Sequence, residues 1–218
     1  MHHTENADGI PDLGPDAYRR WRASNVGIIT ERLERQLLLD LVGDLRGRKI
    51  LDLGCGDGGF LLAMAAGQPN HNFLGVERLL GRVRGSARRA LRDRRTNVRF
   101  LRLDTNYAVH WLLPESSFAR IHLLFPDPWP KKRHHRRRIV QTGFLKAIHR
   151  LLPSGGEFLF KTDDPAYFRH AQTVAASVDF LETVPWHPGE FIYPETDFER
   201  LWRAKNREIH RLRMRKID

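Results

Sequence analysis

Short apolar segments alternate with longer segments of mixed polarity from about residue 49 onward. The apolar segments have the length and composition of buried strands, at residues 49–53, 72–76, 97–103, 119–125 and 157–161. Between and after them, the spacing of apolar residues predicts helices near residues 58–67, 80–93, 105–113, 137–152 and 165–178. Strict alternation of strand and helix indicates right-handed crossovers and a parallel sheet covered on both faces. The pattern therefore predicts a doubly wound, Rossmann-like α/β domain.

The pattern changes at both ends of the chain. Residues 1–29 are predicted to form a flexible leader, and leucines at helical spacing in residues 30–42 begin a single domain that covers residues 30–218. After residue 180 the alternation stops, and prolines and a glycine mark an irregular segment. The final basic stretch is predicted to be a strand that pairs antiparallel. The sheet should then be mostly parallel with an antiparallel last strand.

Composition narrows the class of protein. The chain has 218 residues, 41% of them hydrophobic, which suits one well-buried domain. No apolar stretch has the ~18 to 20 residues of a membrane span, and the first residues do not resemble a signal peptide, so we expect a cytoplasmic protein without membrane attachment. One cysteine, Cys55, excludes an internal disulfide and a multi-cysteine zinc site, and the eleven histidines lack helix-face ligand spacing. We expect no metal, and either a monomer or a homodimer.

The charge points to a polyanionic partner. A formal net charge of +11 favours nucleic acid or an acidic membrane surface, with solubility alone as the alternative. Residues 131–138 form an unbroken run of lysine, arginine and histidine. Cations also crowd two other stretches: Arg82, Arg84, Arg88, Arg89, Arg92, Arg94, Arg95, Arg99 and Arg102, and then Arg200, Arg203, Lys205, Arg207, Arg211, Arg213, Arg215 and Lys216. The run and the last stretch are the better candidates for contact with RNA, since the first stretch is typical of a solvated helix face.

A glycine-rich turn follows the first strand. Gly54, Gly56 and Gly58 in LDLGCGDGG allow a tight bend and close approach of a ligand to the backbone. The same segment also satisfies the dinucleotide fingerprint G-x-G-x-x-G through Gly59, so a nicotinamide cofactor stays open on this motif alone.

Carboxylates at the ends of successive strands favour S-adenosylmethionine. Asp52, Glu77 and Asp104 should converge at one crevice, because the carboxyl ends of neighbouring parallel strands share an edge of the sheet. Glu77 suits ribose hydroxyls, Asp104 an adenine amine and Asp52 an ammonium group. Asp57 at the start of the next helix would oppose a pyrophosphate, whereas S-adenosylmethionine has no phosphate and carries a positive sulfonium.

The segment FPDPW, residues 125–129, ends the fourth strand at the same edge. Asp127 can accept hydrogen bonds from the N1 and the exocyclic amine of guanine, and Trp129 can stack on a base for ~1 to 3 kcal/mol. Lys131 and Arg133 begin the basic run that suits phosphates. The alternative is a proline turn with a buried tryptophan.

These motifs together resemble one family. FPDPWPKKRHHRRR at residues 125–138 closely resembles the signature of bacterial tRNA (guanine-N7-)-methyltransferases. The resemblance covers roughly residues 49–215 and includes LDLGCGDG, FLGVE, LRLD, the KTDD of residues 161–164 and the TDFE of residues 196–199. It departs from the family at Asp52, where glutamate is common, at Thr105, where alanine is frequent, and at Asn206, where glycine is usual.

The resemblance implies a function and a set of site residues. It implies methylation of guanine N7 at position 46 of the tRNA variable loop, with S-adenosylmethionine as the methyl donor. The implied cofactor residues are Asp52, Glu77, Asp104 and Asp127, of which Asp127 is also catalytic. The implied substrate residues are Lys131, Asp163, Thr196, Asp197, Phe198 and Glu199. Two alternatives remain: a methyltransferase acting on a base amine, since Asp127, Pro128 and Trp129 loosely echo a D-P-P-aromatic motif, and a non-catalytic RNA-binding protein on the same fold.

Overall fold

The computed structural model describes residues 48–187 and 189–217, with a few positions before them. The chain divides into two compact units, Met1–Leu41 and Val42–Asp218, and the second contains the described sheet and the helices that pack on it. The predicted leader and its boundary at residue 30 lie almost wholly outside the described residues. Of the predicted helix over residues 30–42, the described positions are helical: Thr30, Arg32, Leu33 and Gln36.

Seven strands form one sheet in the order β3-β2-β1-β4-β5-β7-β6. Their bounds are β1 Lys49–Leu53, β2 Asn72–Glu77, β3 Val98–Arg102, β4 Arg120–Leu124, β5 Glu157–Thr162, β6 Leu181–Thr183 and β7 His210–Lys216. The five strands from β3 to β5 pair in parallel, and β7 lies antiparallel between β5 and β6. The predicted doubly wound sheet with an antiparallel last strand is confirmed.

Helices cover both faces of this sheet. They are α1 Gly59–Gly67, α2 Leu80–Arg92, α3 Thr105–Tyr107 with a π-helical continuation Ala108–Leu112, α4 Thr142–Leu151, α5 Pro165–Ala176 and α6 Asp197–Ala204. Side chains of α1 and α2, such as Met64 and Ala90, pack with Phe73 on one face. Side chains of α4 and α5, such as Phe144 and Ala171, pack in a larger cluster on the other.

The structure differs from the predicted elements at two places. A 3₁₀ helix occupies Lys132–Arg137, so the helix predicted from residue 137 begins only at Thr142. The segment predicted as irregular after residue 180 contains β6 and α6. The helix α6 was missed because it is short, with eight residues, and because its apolar side chains Phe198 and Leu201 are exposed while only Glu199 is buried.

Candidate active site

A cavity of about 330 Å³ lies at the carboxyl edge of the sheet. Asp52 of β1 and the glycine turn after it form one side, and Phe125 and Asp127 after β4 form another. The start of α6 adds Thr196, Asp197 and Phe198, while Arg82 of α2 also borders the cavity. Four separate segments of the chain therefore converge here, as expected at the edge where parallel strands end.

The glycine turn requires its glycines. Gly54, Gly56 and Gly58 have φ of 70°, 57° and 76°, in the left-handed region that disfavours side chains. A Cβ on Gly58 would lie 2.7 Å from the Ser86 hydroxyl oxygen and 2.8 Å from the ring of Phe100. Gly54 and Gly56 instead border the cavity with nothing within 4 Å of a Cβ position. The turn thus presents bare backbone to a ligand.

Asp52 is a buried carboxyl group that borders the cavity. It is 2% exposed, and the structure gives it no hydrogen-bond partner among the described residues. Burial, followed by the charge of Glu77, raises the pKa of Asp52 to about 8. A cation bound in the cavity would relieve both effects, so this position suits a positively charged ligand group.

Glu77 fixes the glycine turn. Its Oε2 accepts a hydrogen bond from the Gly56 N–H at 3.1 Å, and its Oε1 accepts one from Leu79 at 2.8 Å. Arg82 lies 3.8 Å from the same carboxylate. Glu77 is 7% exposed and does not border the cavity, so its proposed contact with ribose stays a prediction.

Asp104 also lies outside the cavity lining. Its carboxylate caps α3 by accepting a hydrogen bond from the Tyr107 N–H at 3.1 Å. The side chain is solvent-exposed. The contact of Asp104 with adenine stays a prediction, and it requires a ligand that extends beyond the cavity.

Asp127 borders the cavity between two constrained aromatic residues. Phe125 and Trp129 have φ of 50° and 44°, a rare conformation for bulky side chains. Asp127 itself is exposed and has no ion pair or hydrogen bond with the described residues. The Phe125 ring stacks on that of Phe198, with centroids 6.0 Å apart. The rigid backbone therefore presents a carboxylate that the fold does not use.

The basic run after Trp129 divides into exposed and buried members. Trp129 does not border the cavity; it lies 5.0 Å from the Arg137 guanidinium and 5.9 Å from the His134 ring. Lys131 and Arg133 are exposed. These exposed cations follow the FPDPW segment directly in the chain.

Arg138, the last member of the run predicted to contact RNA, is buried instead. It is 2% exposed, and its Nε donates to the Pro128 carbonyl at 2.9 Å while its Nη1 donates to that of Ala166 at 3.2 Å. Its guanidinium also lies over the Tyr167 ring. Arg138 thus ties the FPDPW segment to α5.

The TDFE segment contributes residues that face the cavity and one that faces inward. Thr196 caps α6 by accepting from the Glu199 N–H at 3.0 Å, and Asp197 pairs with Arg200. Phe198 is 54% exposed beside the cavity. Glu199 is 1% exposed and lies away from it.

Glu199 instead binds cations under α6. Lys161 Nζ lies 2.7 Å, Arg211 3.0 Å and Arg203 3.3 Å from its carboxylate. Burial lowers the pKa of Lys161 to about 8, although Glu199 opposes this shift. A second cavity, of about 440 Å³, borders this cluster and Tyr193. The ion pair between Lys161 and Glu199 was not predicted from the sequence, where the one indication was a lysine inside an apolar strand.

His122 was also missed. It is fully buried on β4, directly beside Asp52 in the register of the sheet. Its two ring nitrogens have no hydrogen-bond partner in the described structure, and its ring packs on Phe60 and Tyr193. Burial, then Arg120 and Lys161, lower its pKa well below the ordinary value, so it is neutral.

The C-terminal cations predicted to contact RNA are mostly paired within the protein. Arg207 binds Asp163 at 3.0 Å, and Arg213 binds both Glu157 and Glu190 at 2.6 Å. Arg215 reaches Glu157 at 3.4 Å. Further pairs join Arg200 to Asp197, Arg203 to Glu195 and Glu199, and Arg211 to Glu199. We name these pairs the C-terminal network.

No group of three histidine, cysteine, aspartate or glutamate side chains within the described residues could hold a metal ion. Nor does that part of the chain contain a helix long and apolar enough to span a membrane.

Solved structures place the fold among methyltransferases. The aminoglycoside resistance methyltransferase NpmB1 has a TM-score of 0.58 at 20% identity, covering 84% of this chain and 93% of that one. TrmN from Thermus thermophilus has a TM-score of 0.54 at 20% identity, covering 84% of this chain and 48% of that one. The fold is a methyltransferase fold, and the cavity lies where its glycine turn ends the first strand.

Sequence comparison assigns the family. A family model described as "Putative methyltransferase" matches residues 46–212. The tRNA (guanine-N(7)-)-methyltransferase of Zymomonas mobilis is 33% identical over 82% of this chain and 78% of its own length. The enzyme of the same name from Halorhodospira halophila is 37% identical over 80% and 78%. The chain belongs to this methyltransferase family, which confirms the resemblance drawn from its motifs.

Proposed function

We propose that the protein transfers a methyl group from S-adenosylmethionine to N7 of a guanine in tRNA. The observation that carries this proposal is the cavity that brings together Asp52, the bare backbone of Gly54 and Gly56, and Asp127. The names of the relatives support guanine in tRNA as the acceptor.

The cavity residues fit the cofactor. S-adenosylmethionine supplies an electrophilic methyl group on a cationic sulfonium, and its ammonium group suits the buried carboxyl of Asp52. The backbone of Gly54 and Gly56 leaves room for a ligand to approach closely. Asp57 also borders the cavity, and its charge disfavours the pyrophosphate of a dinucleotide.

Asp127 would hold the guanine. Its carboxylate can accept hydrogen bonds from N1–H and the exocyclic amine, which turns the N7 edge of the base toward the cofactor. When bound, S-adenosylmethionine would supply the methyl group to N7 as its carbon–sulfur bond breaks, with the bonding electron pair going to sulfur. Positive charge would then pass to the purine, where the Asp127 carboxylate would stabilise it. The lone pair on N7 needs no deprotonation, so positioning and charge carry the catalysis.

The surface around the cavity suits a structured RNA. Lys131 and Arg133 are exposed next to the FPDPW segment and are proposed to bind phosphates. The sequence resemblance further proposes position 46 of the variable loop as the target and the cytoplasm as the location. Asp163 and Glu199 are paired to arginines in the structure, so their part in substrate binding would be through the position of α6 and the following loop.

The test is the identity of the methylated nucleoside. The protein is incubated with labelled S-adenosylmethionine and bulk tRNA, and the tRNA is digested and its nucleosides are separated. N7-methylguanosine is expected. N6-methyladenosine would support the base-amine alternative, and absence of label together with retained RNA binding would support a non-catalytic RNA-binding protein; either result overturns the proposal.

A further inference from the structure

The α2 helix carries a row of arginines that the fold does not explain. Arg84, Arg88 and Arg92 follow one another at intervals of four residues, and all three are exposed. A helix rises ~6 Å over four residues, so these guanidinium groups form a line along one face. We name these three residues the α2 arginine stripe.

The stripe has few charges to balance it. Arg84 and Arg88 have no ion pair with any carboxylate of the described chain, and Arg92 pairs only with the neighbouring Asp93 at 2.8 Å. That pair is solvent-exposed on both sides and is therefore weak. Around the stripe, other arginines are exposed and likewise lack an acidic partner in the described ranges: Arg78, Arg94, Arg95, Arg99 and Arg102.

Such a stripe opposes folding. Like charges four residues apart destabilise a helix, and Arg84, Arg88 and Arg92 place two such pairs in succession. The other face of α2 differs, because Arg89 there binds Asp57 at 3.1 Å and Arg82 lies 3.8 Å from Glu77. Repulsion on one face and pairing on the other indicate that the stripe serves an external anion.

The position of α2 connects the stripe to the candidate active site. Arg82 borders the cavity, and Arg89 holds Asp57, which borders it as well. The helix therefore forms a side wall of the site and extends ~20 Å from its first to its last residue. The stripe therefore lies on a helix that borders the candidate active site.

We propose that the α2 arginine stripe binds consecutive phosphates of the tRNA backbone outside the cavity. This proposal rests on the proposed function. A line of cations on one helix face complements the negative charges along a nucleic-acid strand. An anionic membrane is less suited, because a membrane-binding helix needs an apolar face, whereas the exposed apolar side chains of α2 are Leu80 at its start and Leu91.

The experiment compares two triple variants of the full chain that remove the same number of charges. One is R84Q/R88Q/R92Q; the control is R48Q/K146Q/R169Q, whose positions are exposed, scattered and without ion pairs to described carboxylates. Binding of tRNA is measured by fluorescence anisotropy across salt concentrations, in the absence of S-adenosylmethionine. Removing one arginine that binds a phosphate should reduce the slope of log K against log salt by roughly 0.7 to 0.9.

We expect the stripe variant to show a slope smaller by about 2 and an affinity at least about tenfold weaker at low salt, with the control close to the wild type. Equal changes in both variants would show that only the net charge of the protein matters for tRNA binding, and would overturn the proposal. Stripe-dependent binding to phosphatidylglycerol vesicles, with tRNA binding unaffected, would also overturn it. Because binding is measured without turnover, failure of the methylation assay would leave this result interpretable.

Discussion

Arginines crowd both α2 with its following loop and the segment from residue 200 to residue 216, yet their surroundings differ. In the C-terminal network, Arg211 and Arg213 bind the buried carboxylates Glu199 and Glu157. On α2, Arg84 and Arg88 find no acidic partner in the described structure, and their neighbours repel them. Arginines therefore stabilise the fold in the C-terminal segment, whereas on α2 they leave unbalanced positive charge at the surface.

The comparison extends to the carboxylates. Glu157 and Glu199 are buried with several cations around each, whereas Asp52 and Asp127 border the cavity without a bonding partner among the described residues. Charged groups that are paired within the protein stabilise the fold. Charged groups that stay unpaired beside a cavity or on a helix face indicate a binding site for a ligand.

The largest expected effect concerns a carboxylate that is paired within the protein. E199A removes the carboxylate that Lys161, Arg203 and Arg211 share, and we expect the free energy of unfolding to fall by about 3 to 5 kcal/mol, because the buried Lys161 loses its partner. Urea unfolding followed by circular dichroism measures it. E182A, which removes an exposed pairing with Arg215, is the matched control and should cost under about 1 kcal/mol. Equal effects would show that Glu199 is not a structural centre.

The next effect concerns an unpaired carboxylate beside the cavity. D127N should lower the single-turnover rate of tRNA methylation by about 100-fold or more, because the carboxylate that orients guanine and stabilises the developing charge is neutral. Its urea midpoint should match that of the wild type, since Asp127 is exposed and unpaired in the described structure. D179N, at an exposed position after α5, is the control. A normal rate in D127N would remove Asp127 from the chemistry.

A smaller effect concerns pH. The pKa of Asp52 is raised to about 8, so without ligand the group holds its proton up to that pH. A bound cation favours the carboxylate, and affinity for S-adenosylmethionine should therefore rise between about pH 6 and pH 8 by up to about tenfold per pH unit, then level off. Calorimetry measures this slope. D52N should bind more weakly at pH 8 and lack this rise; a variant with an unchanged slope would assign the titration to another group.

The same shift fixes the sign for stability. In the free protein, folded Asp52 keeps a proton between about pH 4 and pH 8 that the unfolded chain releases, so its contribution makes the free energy of unfolding fall as pH rises through this window. Saturating cofactor should reduce that fall.

The smallest effect is expected for R88A, and R213A is the contrasting variant from the other arginine region. R88A removes a repelled charge from α2, so its thermal midpoint should stay at or slightly above that of the wild type in low salt. R213A removes a 5% exposed guanidinium that binds Glu157 and Glu190, and its midpoint should fall. A lower midpoint for R88A would show that the stripe has a structural role.

The sequence was sufficient for the sheet because parallel strands are buried on both faces. EFLFKT of β5 is buried along its whole length, and its apolar run marks it clearly. The helix α6 was not recognisable, since the buried residue it contributes is a glutamate. This glutamate is buried because it binds Lys161 and Arg211, which lie on two strands, 38 and 12 residues away in the chain.

The site was predictable in part for the same reason. Strand ends converge by topology, so Asp52 and Asp127 could be placed together from their positions alone. Which charges remain unpaired could not be read from the sequence, because pairing depends on contacts such as Arg213 with Glu157, 56 residues apart. The structure pairs most of the C-terminal arginines and leaves Arg84 and Arg88 without an acidic partner among the described residues, whereas the sequence favoured the C-terminal stretch for contact with RNA.

The insertion of β7 between β5 and β6 has a consequence for synthesis on the ribosome. All other strands of the sheet emerge first, and β5 can pair with β4 at once. Until β7 emerges, β5 remains an open edge, and Glu157 and Glu199 lack Arg213 and Arg211. A nascent chain stalled before residue 210 would leave the β5 edge unpaired, and an unpaired strand edge is a site at which other chains can add and aggregate.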